Sequence, residues 1–172
     1  MNVYMVLSRL LDYPTQELVD NLRMLQKIVS KKMALPPEEE EGVSNFIKWM
    51  RRHDLIELQE IYVQTFDMQP EHSLHLTHHL FGDDRGRGPA LVDLGEHYKG
   101  EGMEVKSGEL PDYLPLILEY VSTLDEFAAR VFLADAAKVL TVLAANLEHS
   151  NSPYAPLVRI IDRHGRLVQT AA

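Results

Sequence analysis

The chain contains no cysteine. That excludes disulfides, cysteine-ligated zinc, iron–sulfur ligation by this chain and thiol catalysis. Cations are scarce as well: 17 Lys and Arg stand against 26 Asp and Glu, a formal net charge of −9. A negative surface is repelled by nucleic acid and by anionic membranes, so neither is expected as a main partner, whereas a basic partner fits. No stretch approaches the roughly 18–20 consecutive apolar residues that a bilayer span requires. The apolar start of the chain is interrupted by Arg9 and Asp12, and no small-residue cleavage site follows. The expected location is the cytoplasm, without membrane insertion. Sustained apolar–polar alternation and β-branched clusters are also missing, which leaves little room for strands.

What is present is helical periodicity. With 172 residues, 45% of them apolar and 25% charged, the chain can bury a core within one domain, residues 1–172. Val3, Val6, Leu7 and Leu10 fall on one side of a helix over 2–12, which Tyr13-Pro14 ends. Thr15 caps a second helix to Lys32, with Leu18, Leu22, Leu25, Ile28 and Val29 as its stripe. Pro37 suits the first turn of a third, where Glu38 to Glu41 favour the positive dipole end. Asp54 and Glu57 are spaced as a capping box, opening a helix with Leu55, Leu58, Ile61, Tyr62 and Phe66 inward. A histidine-rich stretch, 71–81, reads as helical, and Gly82 to Gly88 as a charged loop. Pro89 begins a helix to Lys99, which Gly100 and Gly102 stop. Residues 103–109 read as a loop, and helices follow over 110–124, from an Asp125 cap to Leu147, and over 154–168. The sum is an all-α, compact bundle of about eight or nine helices.

The stretch 110–124 carries more apolar surface than one stripe needs. Leu110, Tyr113, Leu114, Leu116, Ile117, Leu118, Tyr120, Val121 and Leu124 cover an arc of roughly 200° on a helical wheel. Such a helix either lies centrally or leaves one flank facing a groove that another molecule fills. Charge is uneven too: nine acidic residues lie between Asp93 and Glu126, and only Lys99 and Lys106 oppose them. A solvated acidic face accounts for this, and so does a site for a basic amphipathic helix.

Two other clusters invite chemistry. His72, His75 and His79 share a helical face, with His78 beside His75, a spacing open to Zn, Ni or Cu in a small metal-dependent enzyme. It lacks the HExxH form of a hydrolytic zinc helix, and a polar helix face explains it equally. Arg85 and Arg87, in the glycine-rich loop, could grip a phosphate or carboxylate, or pair with Asp93 or Glu96 across a plain connector. The loop matches no phosphate-binding fingerprint, and no strand precedes it. Carboxylate pairs such as Glu109 and Asp112 have no nucleophile or base spaced to work with them.

Three stretches taken together resemble one family. They are Tyr62 to Asp67, Gly82 to Leu94, and Glu109-Leu-Pro-Asp112-Tyr-Leu-Pro115-Leu116 continuing to Tyr120; Ser8 to Pro14 also fits. The chain is similar here, over roughly residues 6–125, to the NarJ family of nitrate reductase assembly chaperones, within the wider TorD/DmsD-type group of redox-enzyme maturation chaperones. The resemblance implies an all-helical, non-catalytic protein that holds no cofactor itself. Its expected partner is the N-terminal peptide of a molybdoenzyme catalytic (alpha) subunit, kept competent for insertion of the molybdenum cofactor and an iron–sulfur cluster before membrane assembly. Tyr62, Phe66 and Asp67 match the family's Y-x-x-x-F-D helix end. Arg85, Arg87, Gly88 and Asp93 match its R-x-R-G…D stretch, and Glu109, Pro111, Asp112, Leu114 and Pro115 its E-L-P-D-[HY]-L-P motif. Tyr113 stands where the wider group often has His, and of the family's E-H-x-H only His79 remains.

The combined expectation is a client-peptide site made of Tyr62, Phe66, Asp67, Arg87, Glu109, Asp112, Tyr113, Leu116, Ile117, Glu119 and Tyr120. Tyr113, Leu116, Ile117 and Tyr120 are the expected apolar anchors, and Glu109, Asp112 and Glu119 the acids that meet client Lys or Arg. Two alternatives are the metal-dependent enzyme on His72 to His79 and a pterin or guanine-nucleotide binder using Arg85 and Arg87. Helical chaperones of this kind can exchange helices, so a homo-oligomer is compatible with the sequence.

Overall fold

A computed structural model describes residues 1–82 and 84–169, with the side chains of 167–169 excepted. Asp83 of the arginine loop and the last three residues of the domain expected over 1–172 lie outside the described residues.

Ten α-helices carry the described chain: α1 (Val3–Leu11), α2 (Gln16–Lys32), α3 (Pro37–Met50), α4 (Leu55–Tyr62), α5 (Leu76–Phe81), α6 (Arg87–Gly100), α7 (Leu114–Val121), α8 (Glu126–Asp135), α9 (Ala137–His149) and α10 (Ala155–Gln169). No strand is formed among the described residues. The caps legible in the sequence are in place. Thr15 accepts from the Leu18 amide, Asp125 from the Ala128 amide, and Asp54 and Glu57 close a reciprocal capping box. The core runs where α7 lies along α1 and where α10 packs on α8 and α9, lined by fully buried Leu7, Leu10, Leu114, Leu118, Leu140, Leu143 and Leu157. A buried polar relay ties three helices: Tyr4 donates to His164 Nδ1 (2.8 Å), and His164 Nε2–H donates to the Glu39 carboxylate (3.0 Å).

Four expected boundaries moved, each for a physical reason. The histidine-rich stretch is not one helix: Pro70–His72 is a 3₁₀ turn, residues 73–75 are non-helical, and only Leu76–Phe81 is α. Helix α6 starts at Arg87, before Pro89, because a helix leaves its first N–H groups unpaired and the missing proline N–H costs nothing there. Helix α7 starts at Leu114 instead of Leu110: an earlier start would require a hydrogen bond from Pro115, which has no N–H. The helix expected from Asp125 to Leu147 is two, broken at Ala136, just after the last turn of α8 on which α10 packs closely at Leu133. Gly165 permits that approach, since a Cβ built on it would stand 2.8 Å from the Leu133 carbonyl oxygen.

The over-apolar stretch is explained by this placement. On α7, every residue except Glu119 is buried, with Ile117 4% and Tyr120 5% exposed. Of the two readings of that arc, the central one describes Ile117 and Tyr120: they are core residues, and neither presents a flank to solvent.

Candidate functional site

The site begins where α4 changes its winding. Val63–Asp67 is a π turn, and the Met68 amide donates back to the Val63 carbonyl, five residues away (3.1 Å). Such single turns disrupt the regular ladder and re-aim side chains. Here the Thr65 carbonyl receives His72 Nδ1–H (2.9 Å), while His72 Nε2 lies 3.3 Å from the Asn146 carbonyl on α9. His72 is buried, so this imidazole fastens the π turn to the body of the protein. Phe66 and Asp67 end the turn, and both line the cleft of the site.

Opposite lies the Asp112 carboxylate, with no solvent exposure. Its backbone pairs with the segment after the 3₁₀ turn: the Leu76 amide donates to the Asp112 carbonyl (3.1 Å) and the Leu114 amide to the Leu74 carbonyl (2.8 Å). Its side chain accepts from His75 Nδ1–H (3.2 Å), from the Thr77 amide (3.1 Å) and from the Thr77 hydroxyl, with an Arg87 nitrogen 3.8 Å away. Burial pushes the Asp112 carboxyl up, but the His75 and Thr77 hydrogen bonds outweigh it, and the net displacement is downward. Arg87 in turn donates from Nε to the Thr77 hydroxyl (3.0 Å). One buried anion thus gathers the histidine stretch, the arginine loop and the Glu109–Leu116 motif.

Tyr113 follows Asp112 and forms the wall above it. Its ring stacks on His75 (centroids 5.3 Å apart, 29° between planes). Its hydroxyl donates to Asp12 Oδ1 (3.0 Å) and makes a short contact with the Tyr62 hydroxyl, which itself donates to the Leu11 carbonyl (3.0 Å). Burial raises both phenols far above their ordinary value, so they act as neutral hydroxyls.

Between these groups opens a cleft of about 690 Å³. Of the expected site residues, Tyr62, Phe66, Asp67, Arg87, Glu109 and Tyr113 line it. Asp112 sits beneath its floor with its oxygens occupied, so it is a scaffold for the site and not an acid free to meet a client cation. Leu116 and Glu119 line a second cavity of about 250 Å³, which shares Glu109 and Tyr113 with the first. Ile117 and Tyr120 line neither cavity and support the site from within the core. Sequence reading did not select Tyr13 and Leu110 as wall residues, although both lie in stretches that resemble the family; both stay more than 40% exposed despite their size. It also missed Thr77, for which no local signal exists.

The alternative sites do not assemble. His72 fastens the π turn, His75 binds Asp112, and His79 Nε2–H donates to the Ser73 carbonyl (2.7 Å). No group of three or more His, Asp or Glu that could hold a metal ion occurs among the described residues. Nor do Arg85 and Arg87 form a pair of jaws: Arg87 is engaged at Thr77 beside the cleft, and Arg85 is exposed and outside its lining. Glu96 pairs with Lys99 (2.9 Å), not with an arginine of the loop. No described helix is long and apolar enough to cross a membrane.

Residues 32–159 match the family described as nitrate reductase delta subunit. The chain is 35% identical over 156 residues to the nitrate reductase molybdenum cofactor assembly chaperone NarJ of Escherichia coli (strain K12), a match covering 91% of this chain and 66% of that protein. It therefore spans just under two thirds of that relative's length. Against the probable nitrate reductase molybdenum cofactor assembly chaperone NarJ of Bacillus subtilis (strain 168), identity is 31% over 162 residues, 92% of this chain and 85% of the relative. A third relative is the probable nitrate reductase molybdenum cofactor assembly chaperone NarW of Escherichia coli (strain K12), 30% identical over 157 residues, 91% of this chain and 65% of that protein.

Proposed function

The chain belongs to the nitrate reductase delta subunit (NarJ) family, and on that premise we propose that it is a cytoplasmic maturation chaperone for a nitrate-reductase-like molybdoenzyme. It binds the N-terminal segment of the apo catalytic subunit in the 690 Å³ cleft and keeps that subunit open for molybdenum cofactor and iron–sulfur cluster insertion. The observation that carries this reading is that all three motif segments line one aromatic-walled cleft, Tyr62 joined to it through the Tyr113 hydroxyl and Arg87 through Thr77 and the buried Asp112. Relatives named as molybdenum cofactor assembly chaperones support the class of client.

The chemistry of the cleft suits a peptide. Tyr13, Leu110 and Tyr113 offer apolar surface backed by the buried Phe66, and each aliphatic side chain buried there contributes about 1.5–3 kcal/mol before ordering costs. A few such contacts give micromolar binding or tighter. Titration of the N-terminal peptide of the client's catalytic subunit into the protein by calorimetry tests the reading. Saturable one-to-one binding that weakens on Leu110→Ala, an exposed wall residue, is expected; no heat at high micromolar concentration overturns it.

A further inference from the structure

The cleft does not end at Tyr113. The smaller cavity adjoins it, with Glu109 and Tyr113 belonging to both linings. Their chemistry differs. The larger compartment is walled by aromatic and aliphatic surface, with Arg87, two histidines and the carboxylates of Asp67 and Glu109 as its charged or titratable groups. The smaller one has Pro115 and Leu116 for apolar surface and four carboxylates around them: Asp12, Glu104, Glu109 and Glu119. Only Arg9 and Lys106 in that lining oppose them.

The pairing pattern sharpens the contrast. Asp12 accepts from the Tyr113 hydroxyl and from the Tyr13 amide. Glu104, Glu109 and Glu119 form no ion pair among the described residues, and neither does Arg9 or Lys106. Elsewhere this protein does pair its charges across elements: Arg159 holds Glu148 at 2.7 Å and Arg163 holds Glu38 at 3.0 Å. A partly enclosed space with an excess of unpaired carboxylates keeps a negative potential that the chain itself does not neutralise.

We propose that the groove reads its client in two parts. An apolar side chain fills the larger compartment between Tyr13, Phe66 and Leu110, and a Lys or Arg of the same segment passes the Tyr113 ring into the smaller one, its cation at Glu104 and Glu119. The long alkyl stem of either residue suits the passage, since it packs on an aromatic face and on Leu116 while its charge reaches the carboxylates. This deepens the reading of the cleft as a client site and rests on it. Apolar burial supplies affinity; the acidic compartment fixes which way and how far along the segment is seated.

The test uses the full chain, its Glu104→Gln/Glu119→Gln double variant, and two peptides: the N-terminal segment of the client's catalytic subunit, and the same segment with every Lys and Arg replaced by Gln. Glu104 is exposed and Glu119 half-exposed, so the double variant keeps its fold, which far-UV circular dichroism verifies. At low salt the double variant is expected to bind the natural peptide about fivefold more weakly, the worth of one or two partly exposed ion pairs. It should bind the charge-free peptide as the unaltered protein does. Equal losses with both peptides, or no loss with either, overturns the two-part seating while the cleft reading survives. Failure of the unaltered protein to bind the natural peptide overturns both.

Discussion

Asp112 and Thr77 are joined twice: one carboxylate oxygen accepts both the Thr77 amide (3.1 Å) and the Thr77 hydroxyl, 35 residues away in sequence. That double contact fixes the start of α5 against the entrance to α7, and Arg87 is positioned by the same threonine. Asp112→Asn replaces an acceptor-only group by one that brings two donors into a site crowded with donors. The expected cost is about 2–3 kcal/mol of folding stability, the range for a buried charge-assisted network left mispaired. Chemical denaturation checks this, and client affinity should fall with it because the cleft walls lose their common tie.

The same carboxylate sets an acid limit. Its folded pKa lies below its ordinary value of 3.8, so in that range the unfolded chain holds the proton that the native state does not. Stability from this site is present above about pH 4 and is lost as pH falls. The stability gap between the unaltered protein and Asp112→Asn should therefore narrow on acidification below pH 4, followed by urea midpoints at each pH.

At the other end of the scale, tyrosines dominate. Burial pushes the Tyr4 hydroxyl from 10.0 up to about 12, and Tyr62, Tyr98, Tyr113 and Tyr154 move in the same direction. The unfolded chain ionises these phenols first, so the stability they provide is intact below pH 10 and declines as pH rises toward 12. Alkaline unfolding should coincide with the 295 nm phenolate absorbance step, instead of following it.

Two glycines to alanine should act in opposite directions. Gly165→Ala drives a Cβ to 2.8 Å from the Leu133 carbonyl oxygen, and backbone cannot yield as a side chain can. A loss of about 1–3 kcal/mol is expected. Gly95 lies inside α6 with nothing within 4 Å of its added Cβ, so Gly95→Ala should gain about 0.5–1 kcal/mol. Thermal melts of the pair provide the comparison.

His72→Leu should keep the core filled but leave the Thr65 carbonyl without its donor, at a cost of about 1–3 kcal/mol. The larger effect is expected on the site, because the π turn that aims Phe66 and Asp67 is then untied. Client binding should weaken more in His72→Leu than in His79→Leu, whose donor serves the Ser73 carbonyl farther from that turn.

Much of the helical framework was legible without coordinates. Periodicity placed α1 to α3 and the start of α4 within a residue or two, because each is an amphipathic helix with a local start signal: side-chain caps at Asn2, Thr15 and Asp54, and Pro37 in the first turn of α3. Cap chemistry is local, so sequence carries it. The boundaries that moved all depend on something distant or on a missing group. Residues 73–75 leave the helix to pair with 112–114, and the helix broken at Ala136 has Gly165 of α10 packed against Leu133 in the turn before the break. Within the site, motif resemblance selected Tyr62, Phe66, Asp67, Arg87, Glu109 and Tyr113, which do share one cleft. Neither the motif, which selected Asp112, nor the helical wheel, which selected Ile117, could distinguish these two, which build the site from below, from residues that face the space above.

Composition and periodicity alone determined that this protein is helical, acidic and without thiol chemistry, since those follow from which side chains exist and how often they recur. Only the tertiary structure decided that the greasy α7 is a core helix with a groove beginning at its first turn. The reason is that an apolar side chain looks the same in sequence whether its own chain or another molecule covers it; the difference lies in what packs against it.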